Sequence, residues 1–349
     1  MESAISLDRN LVKAAQFNCD LSDAHYAGNY TMCIYLLKMR EYYRWRFEYE
    51  LGERLPMDAV GEWVQKTEGL WDEIEEQEYR PIPVAGELCG PFDDLEVNAR
   101  LEGTELVFSS GIGRFGKPIF FLAEKLESRQ FQDFSVTIAG KEFARELAAP
   151  PAMVKDRQIY VRRQSLSRLL FELLEEWRWH RRTGAMGRVV EHYGLENHDE
   201  HAFKLLIDDQ LDQVLLHEVG ECRAGELLGE NWDPMLKKSL GHPVENIARA
   251  SRDCLADCLV VLPQLVEQQR PELLHFYLAT LTPLRKALMP GLLSAYKCWI
   301  ATGSPKDIAV QASGGISHWT DICWKIMHTL ACAEKKDWRN LLDIESLAA

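Results

Sequence analysis

The residues best suited to chemistry lie in the run Leu215-Leu216-His217-Glu218-Val219-Gly220-Glu221. On a helix, His217 and Glu221 are four apart and Glu218 and Glu221 three apart, so each pair shares a face. An imidazole and a carboxylate on successive turns chelate zinc, iron or manganese. Glu218 is placed to serve as a further ligand or as a general base. The competing interpretation is an acidic helix whose histidine and glutamates form local ion pairs, with Arg223 as a partner.

A second segment strengthens the first. Asp253 and Asp257 are four apart, with Arg249 ahead of Asp253 on the same face. Asp257 precedes Cys258-Leu-Val-Val-Leu262, which predicts burial. A buried unpaired carboxylate costs several kcal/mol, so Asp257 must meet a metal or a cation, with Arg249, Arg252 and Arg285 available. Glu41 interrupts an apolar stripe of Ile34, Leu37 and Trp45, making it a third inward carboxylate unless it pairs with Lys38 or Arg44. The expected ligand set is His217, Glu221, Asp253, Asp257 and Glu41. Such oxygens with one imidazole favour iron or manganese over zinc as the divalent metal.

Residues 217–221 resemble the H-E-x-x-H motif of zincin metalloproteases at His217 and Glu218. Glu221 stands where the second histidine belongs, so the protease activity does not carry over. In spacing, with the order reversed, they also resemble the E-x-x-H motifs of carboxylate-bridged di-metal bundles. His318, ahead of Trp319, is a further candidate to complete a site. His25, His275 and His328 read as packing or surface residues, and Cys254 and Cys258 as small core hydrophobes.

Gly111-Ile-Gly113-Arg-Phe-Gly116 has the spacing of a dinucleotide fingerprint. The residues after it read as a strand, whereas that fingerprint must open a helix. It is read as a hairpin loop. Arg114, Lys117 and Arg285 support an alternative, a binding module for an anionic small molecule. Arg162, Arg163, Arg178, Arg181 and Arg182 form a basic cluster, read as a solvated face paired with Glu172, Glu175 and Glu176.

The chain has 349 residues, 40 basic and 54 acidic, and a net charge of −14, which argues against nucleic acid and anionic lipid as partners. The first residues carry acids and no unbroken apolar stretch, unlike a secretory signal. No window approaches the roughly 20 apolar residues a spanning helix needs. Nine scattered cysteines with no C-x-x-C pair suit reduced thiols in the cytoplasm.

Three regions must position these groups: N-terminal helices in 1–80, a β-rich insertion in 81–162 and a C-terminal helical bundle in 163–349. Helical spacing predicts helices over 29–50, 57–78, 164–182, 199–228, 244–268, 272–300 and 316–335. Short β-like runs at 96–101, 105–109, 118–122, 134–138 and 159–161 lie between turn signals. The expected fold is mainly α: a helical bundle with a small antiparallel β-meander inserted in the first half, the N- and C-terminal helices sharing one core. The expected function is that of a soluble metalloprotein, a metal-dependent oxidoreductase or hydrolase acting on a small molecule. The alternative is a non-enzymatic scaffold, with a protein partner, whose inward charges form arginine–carboxylate networks.

Overall fold

Proline and glycine between positions 81 and 91 divide helices from strands in the first half of the chain. The computed structural model describes residues 7–113, 116–180, 183–197, 199–332, 338 and 343–349. They fall into two compact units, Met1–Phe171 and Glu172–Ala349.

In the first unit, Asp8 caps helix α1 (Arg9–Tyr26) by accepting from the Asn10 amide. Helices α2 (Met32–Arg46) and α3 (Met57–Ile74) follow. Strands β1 (Ile82–Val84) and β2 (Glu87–Cys89) form a separate hairpin. Of residues 96–101, expected as strand, 96–100 belong instead to helix α4 (Asp94–Arg100), with Leu101 as its C-cap. There Val97 and Leu101 are buried one helical turn apart, and every second residue of the run merely mimics alternation. The Asn98 side chain donates to the Phe108 carbonyl at 2.7 Å and accepts from its amide at 3.0 Å, so α4 covers an otherwise open strand edge.

The sheet comprises β3 (Leu106–Ile112), β4 (Pro118–Phe131), β5 (Phe134–Ala144), β6 (Ala152–Lys155) and β7 (Gln158–Arg162), in the order β3-β4-β5-β7-β6. It is mixed, because β5 and β7 pair in parallel, Ser135 opposite Gln158 through Ala139 opposite Arg162. Register shifts between Leu122 and Glu127 interrupt the β4–β5 ladder and curl the sheet into a half-barrel. The described residues are 65% helical, yet this curled five-stranded sheet and the separate hairpin correct the expected helical bundle with a small antiparallel meander. Leu11, Ala15 and Cys19 of α1 share a buried core with Ile82, Val97, Phe108, Phe120 and Leu122. Each large apolar side chain buried there contributes about 1.5–3 kcal/mol.

Helix α5 (Arg163–His180) carries the chain into the second unit, whose described elements are all helical. Here α6 (Ala185–Tyr193), α7 (Glu200–Leu228), α8 (Trp232–Ser239) and α9 (Pro243–Ala256) lead into a π turn, Asp257–Val261, and then α10 (Leu262–Gln268). The one or two helices expected over 272–300, with Pro283 and Pro290 as the dividing points, are three: α11 (Pro271–Thr280), α12 (Pro283–Leu288) and α13 (Pro290–Thr302). A proline at the first turn of each lacks the amide a continuing helix would need. Helix α14 (Lys306–Cys332) is the last long element. Among the described residues no helix is long and apolar enough to cross a membrane.

Candidate metal centre

Helix α7 is started by Asp199, whose carboxylate accepts from the Ala202 amide at 2.9 Å. Its residues His217, Gly220 and Glu221 fall on one stripe, three and four positions apart. Gly220 is where α7 meets the end of α9: a β-carbon there would stand 2.6 Å from the Ala256 carbonyl oxygen. The missing side chain lets two backbones approach, so the short arms of His217 and Glu221 reach Asp253 and Asp257. On the other side, a β-carbon on Gly315 of α14 would stand 2.5 Å from the Cys258 sulfur. The π turn beginning at Asp257 is thus packed closely from two directions. Such turns recur at functional sites because they re-aim side chains within a helix.

Asp257 is fully buried. One carboxylate oxygen stands 3.0 Å from His217 Nδ1; the other accepts from the Tyr277 hydroxyl at 2.6 Å and pairs with Arg285. On the opposite edge of the imidazole, Nε2 lies 3.4 Å from Glu221 Oε1. Glu221 Oε2 accepts from Arg252 at 2.6 Å, and the same guanidinium nitrogen lies 3.6 Å from Asp253 Oδ1. One ligand atom from each of His217, Glu221 and Asp253 falls within 4.8 Å of the other two. The structure therefore gathers His217, Glu221, Asp253 and Asp257, with Asp257 behind the histidine rather than beside it.

The electrostatics follow from this crowding. Burial works against a charged imidazole, but the Glu221 hydrogen bond, its charge and Asp253 raise the pKa of His217. Burial, followed by the Glu221 carboxylate, pushes Glu218 up. Glu221 moves the other way: burial opposes its charge, but Arg252 and then His217 hold it below the ordinary carboxylate range.

Other polar residues have partners of their own. Glu41 belongs to the N-terminal unit, where Arg40 at 2.9 Å and Arg44 at 3.1 Å compensate its carboxylate. Glu245 pairs with Arg249 at 2.9 Å and accepts from the Gly241 amide. His318 Nε2 contacts the Leu347 carbonyl oxygen. Cys254 and Cys258 are buried, and burial pushes both thiols up to about 12, so neither supplies a thiolate at neutral pH. Lys117 turns inward onto Asp23, and Arg114, Arg181 and Arg182 lie outside the described residues. Arg178 pairs with Glu175 at 2.7 Å, while Arg162 is fully buried rather than solvated.

Arg162 leads to a charge network that sequence reasoning missed. It bridges Glu142 at 3.0 Å and Glu146 at 3.2 Å, and Ser165 donates to Glu142 at 2.6 Å. A signal was present: Glu142 falls in phase with Phe134, Val136 and Ile138, the inward set of β5.

One imidazole nitrogen with carboxylate oxygens suits manganese, iron or zinc. Two donors on one ion with bonds of about 2.1 Å at a tetrahedral angle stand roughly 3.4 Å apart. That is the separation of His217 Nε2 from Glu221 Oε1. No curated protein and no solved structure matches the chain. Residues 10–162 match the N-terminal domain, and residues 167–344 the C-terminal domain, of a family of unknown function, DUF6866. The chain, whose candidate centre lies wholly in the second of these domains, belongs to the DUF6866 family.

Proposed function

We propose that the protein is a metal-dependent enzyme, an oxidoreductase or hydrolase, whose centre is held by His217, Glu221 and Asp253. The observation that carries this reading is the hydrogen bond between His217 Nδ1 and the buried Asp257 carboxylate. It fixes the ring orientation and turns Nε2 toward Glu221, the arrangement in which a carboxylate behind a histidine makes it a better metal ligand. A divalent ion bound there supplies a Lewis acid, or a redox centre in the case of iron, with iron or manganese favoured and zinc also suited. Around it, Asp257 is a positioning residue for His217, and Glu218 holds a proton that a substrate or water can exchange. The net charge of −14 favours a small-molecule substrate over nucleic acid or a membrane surface. Nine scattered cysteines with no C-x-x-C pair favour the cytoplasm.

A second reading is a non-enzymatic scaffold. It rests on Arg252 against Glu221 and Arg285 against Asp257, which compensate the same carboxylates without a metal. Elemental analysis of protein purified without chelator separates the two. The enzyme reading requires about one ion per chain, lost in His217→Ala. Metal below about 0.2 per chain in both proteins establishes the scaffold.

A further inference from the structure

Arg252 occupies one side of the candidate centre in a way that bears on which ion can enter. Its terminal nitrogen holds Glu221 Oε2 at 2.6 Å and faces Asp253 Oδ1 at 3.6 Å. Glu221 Oε1, the atom next to His217 Nε2, is left on the open side. One oxygen of Glu221 is thus engaged by the guanidinium, which faces Asp253 without a hydrogen bond to it. The side chain is 15% exposed and its Nε is buried without a hydrogen-bond partner among the described residues. It is hemmed in rather than swinging freely.

Cations differ in what they ask of a carboxylate. Zinc is content with four ligands and single carboxylate oxygens, and it gains from an imidazole. Calcium takes six to eight oxygens and commonly claims both oxygens of a carboxylate. An ion needing one oxygen each from Glu221 and Asp253 can bind with Arg252 in place. An ion needing both oxygens of Glu221 must displace a charged hydrogen bond from a partly buried site, which costs far more than on the surface.

We propose that Arg252 is the specificity-determining residue of this centre, disfavouring calcium, which takes both oxygens of a carboxylate, by holding Glu221 to one available oxygen. The proposal rests on the metal reading above. Removing a positive charge strengthens binding of any cation, so the informative quantity is the ratio of two affinities, in which that common gain cancels.

The experiment titrates the chelator-stripped full chain with zinc and with calcium by calorimetry, in wild type, Arg252→Gln and Arg252→Lys. In Arg252→Gln the preference for zinc over calcium is expected to fall by about tenfold or more. In Arg252→Lys, whose compact charge lacks the rigid fork of a guanidinium, it is expected to fall about threefold. Circular dichroism establishes which variants are folded, and either one decides the matter. A zinc-to-calcium ratio equal to wild type in a folded variant overturns the role of Arg252 while leaving the metal centre standing. Failure of zinc to bind wild type overturns both.

Discussion

Replacing Asp257 with asparagine removes a charge while keeping the shape. The carboxylate is fully buried and serves three partners: His217 at 3.0 Å, Tyr277 at 2.6 Å and the Arg285 guanidinium. An amide oxygen can still accept from Tyr277, but the amide nitrogen cannot receive a proton donated by His217 or Arg285. Arg285, only 14% exposed, keeps the Tyr277 hydroxyl at 3.5 Å and loses its anion. Orphaning one member of a buried ion pair costs about 3–5 kcal/mol, and the acceptor that survives places Asp257→Asn near 3. Equilibrium urea unfolding, followed by hydrogen exchange in peptides covering α7, α9 and α12, measures this locally. A double-mutant cycle with Arg285→Gln should show coupling of about 2 kcal/mol, since either change breaks the same pair. The same substitution loosens the orientation of His217 and should weaken zinc binding about 10- to 100-fold. A destabilisation below about 1 kcal/mol together with unchanged zinc affinity would refute the assignment of Asp257 to both roles.

Other perturbations probe separate features. Gly220→Ala would place a methyl group 2.6 Å from the Ala256 carbonyl oxygen. It should cost about 2 kcal/mol in thermal melts; a neutral result would mean that α7 and α9 are not closely packed there. Arg162→Met leaves Glu142 and Glu146 buried without their shared cation. The N-terminal unit should lose about 3–5 kcal/mol by near-ultraviolet circular dichroism, and a loss under about 1 would contradict the pairing. Burial, and then the Arg188 charge, pushes the pKa of His275 down to about 4 from an ordinary 6.5. The fold therefore favours the neutral ring: its contribution is complete above pH 6.5 and is lost as pH falls toward 4, about 1–2 kcal/mol in all once solvent screening is allowed for. His275→Gln should flatten that part of the stability profile, and an unchanged slope would count against it.

What the sequence revealed depended on whether burial left a mark in the pattern of residues. The spacing in 217–221 and the apolar run after Asp257 were enough to bring His217, Glu221, Asp253 and Asp257 together, because helices preserve their faces. Helix α1 left a fainter mark, since its buried face includes Gln16, Asn18, Ser22 and Asp23 among its apolar residues. The half-barrel was underestimated for another reason. Its curl comes from register shifts in β4–β5, and its mixed character from the parallel pairing of β5 with β7; neither is written in local alternation. Glu41 shows the limit of a helical stripe: its burial and a pairing with Arg44 were both legible, but the stripe could not choose between that pairing and a ligand role, and Arg40 and Arg44 on its own helix compensate it. The π turn that aims Asp257 is set by tertiary packing against Gly220 and Gly315, and spacing in sequence carries no signal for it.

Anomalous diffraction from crystals grown with zinc or manganese tests the central claim most directly, because it locates the ion. The account predicts a peak bonded by Nε2 of His217 and by one oxygen each of Glu221 and Asp253, with Asp257 behind the ring on Nδ1 and bond lengths of about 2.0–2.2 Å. A cluster with no peak, its Arg252 and Arg285 pairs intact at saturating metal, or a peak bonded to other residues, would contradict it.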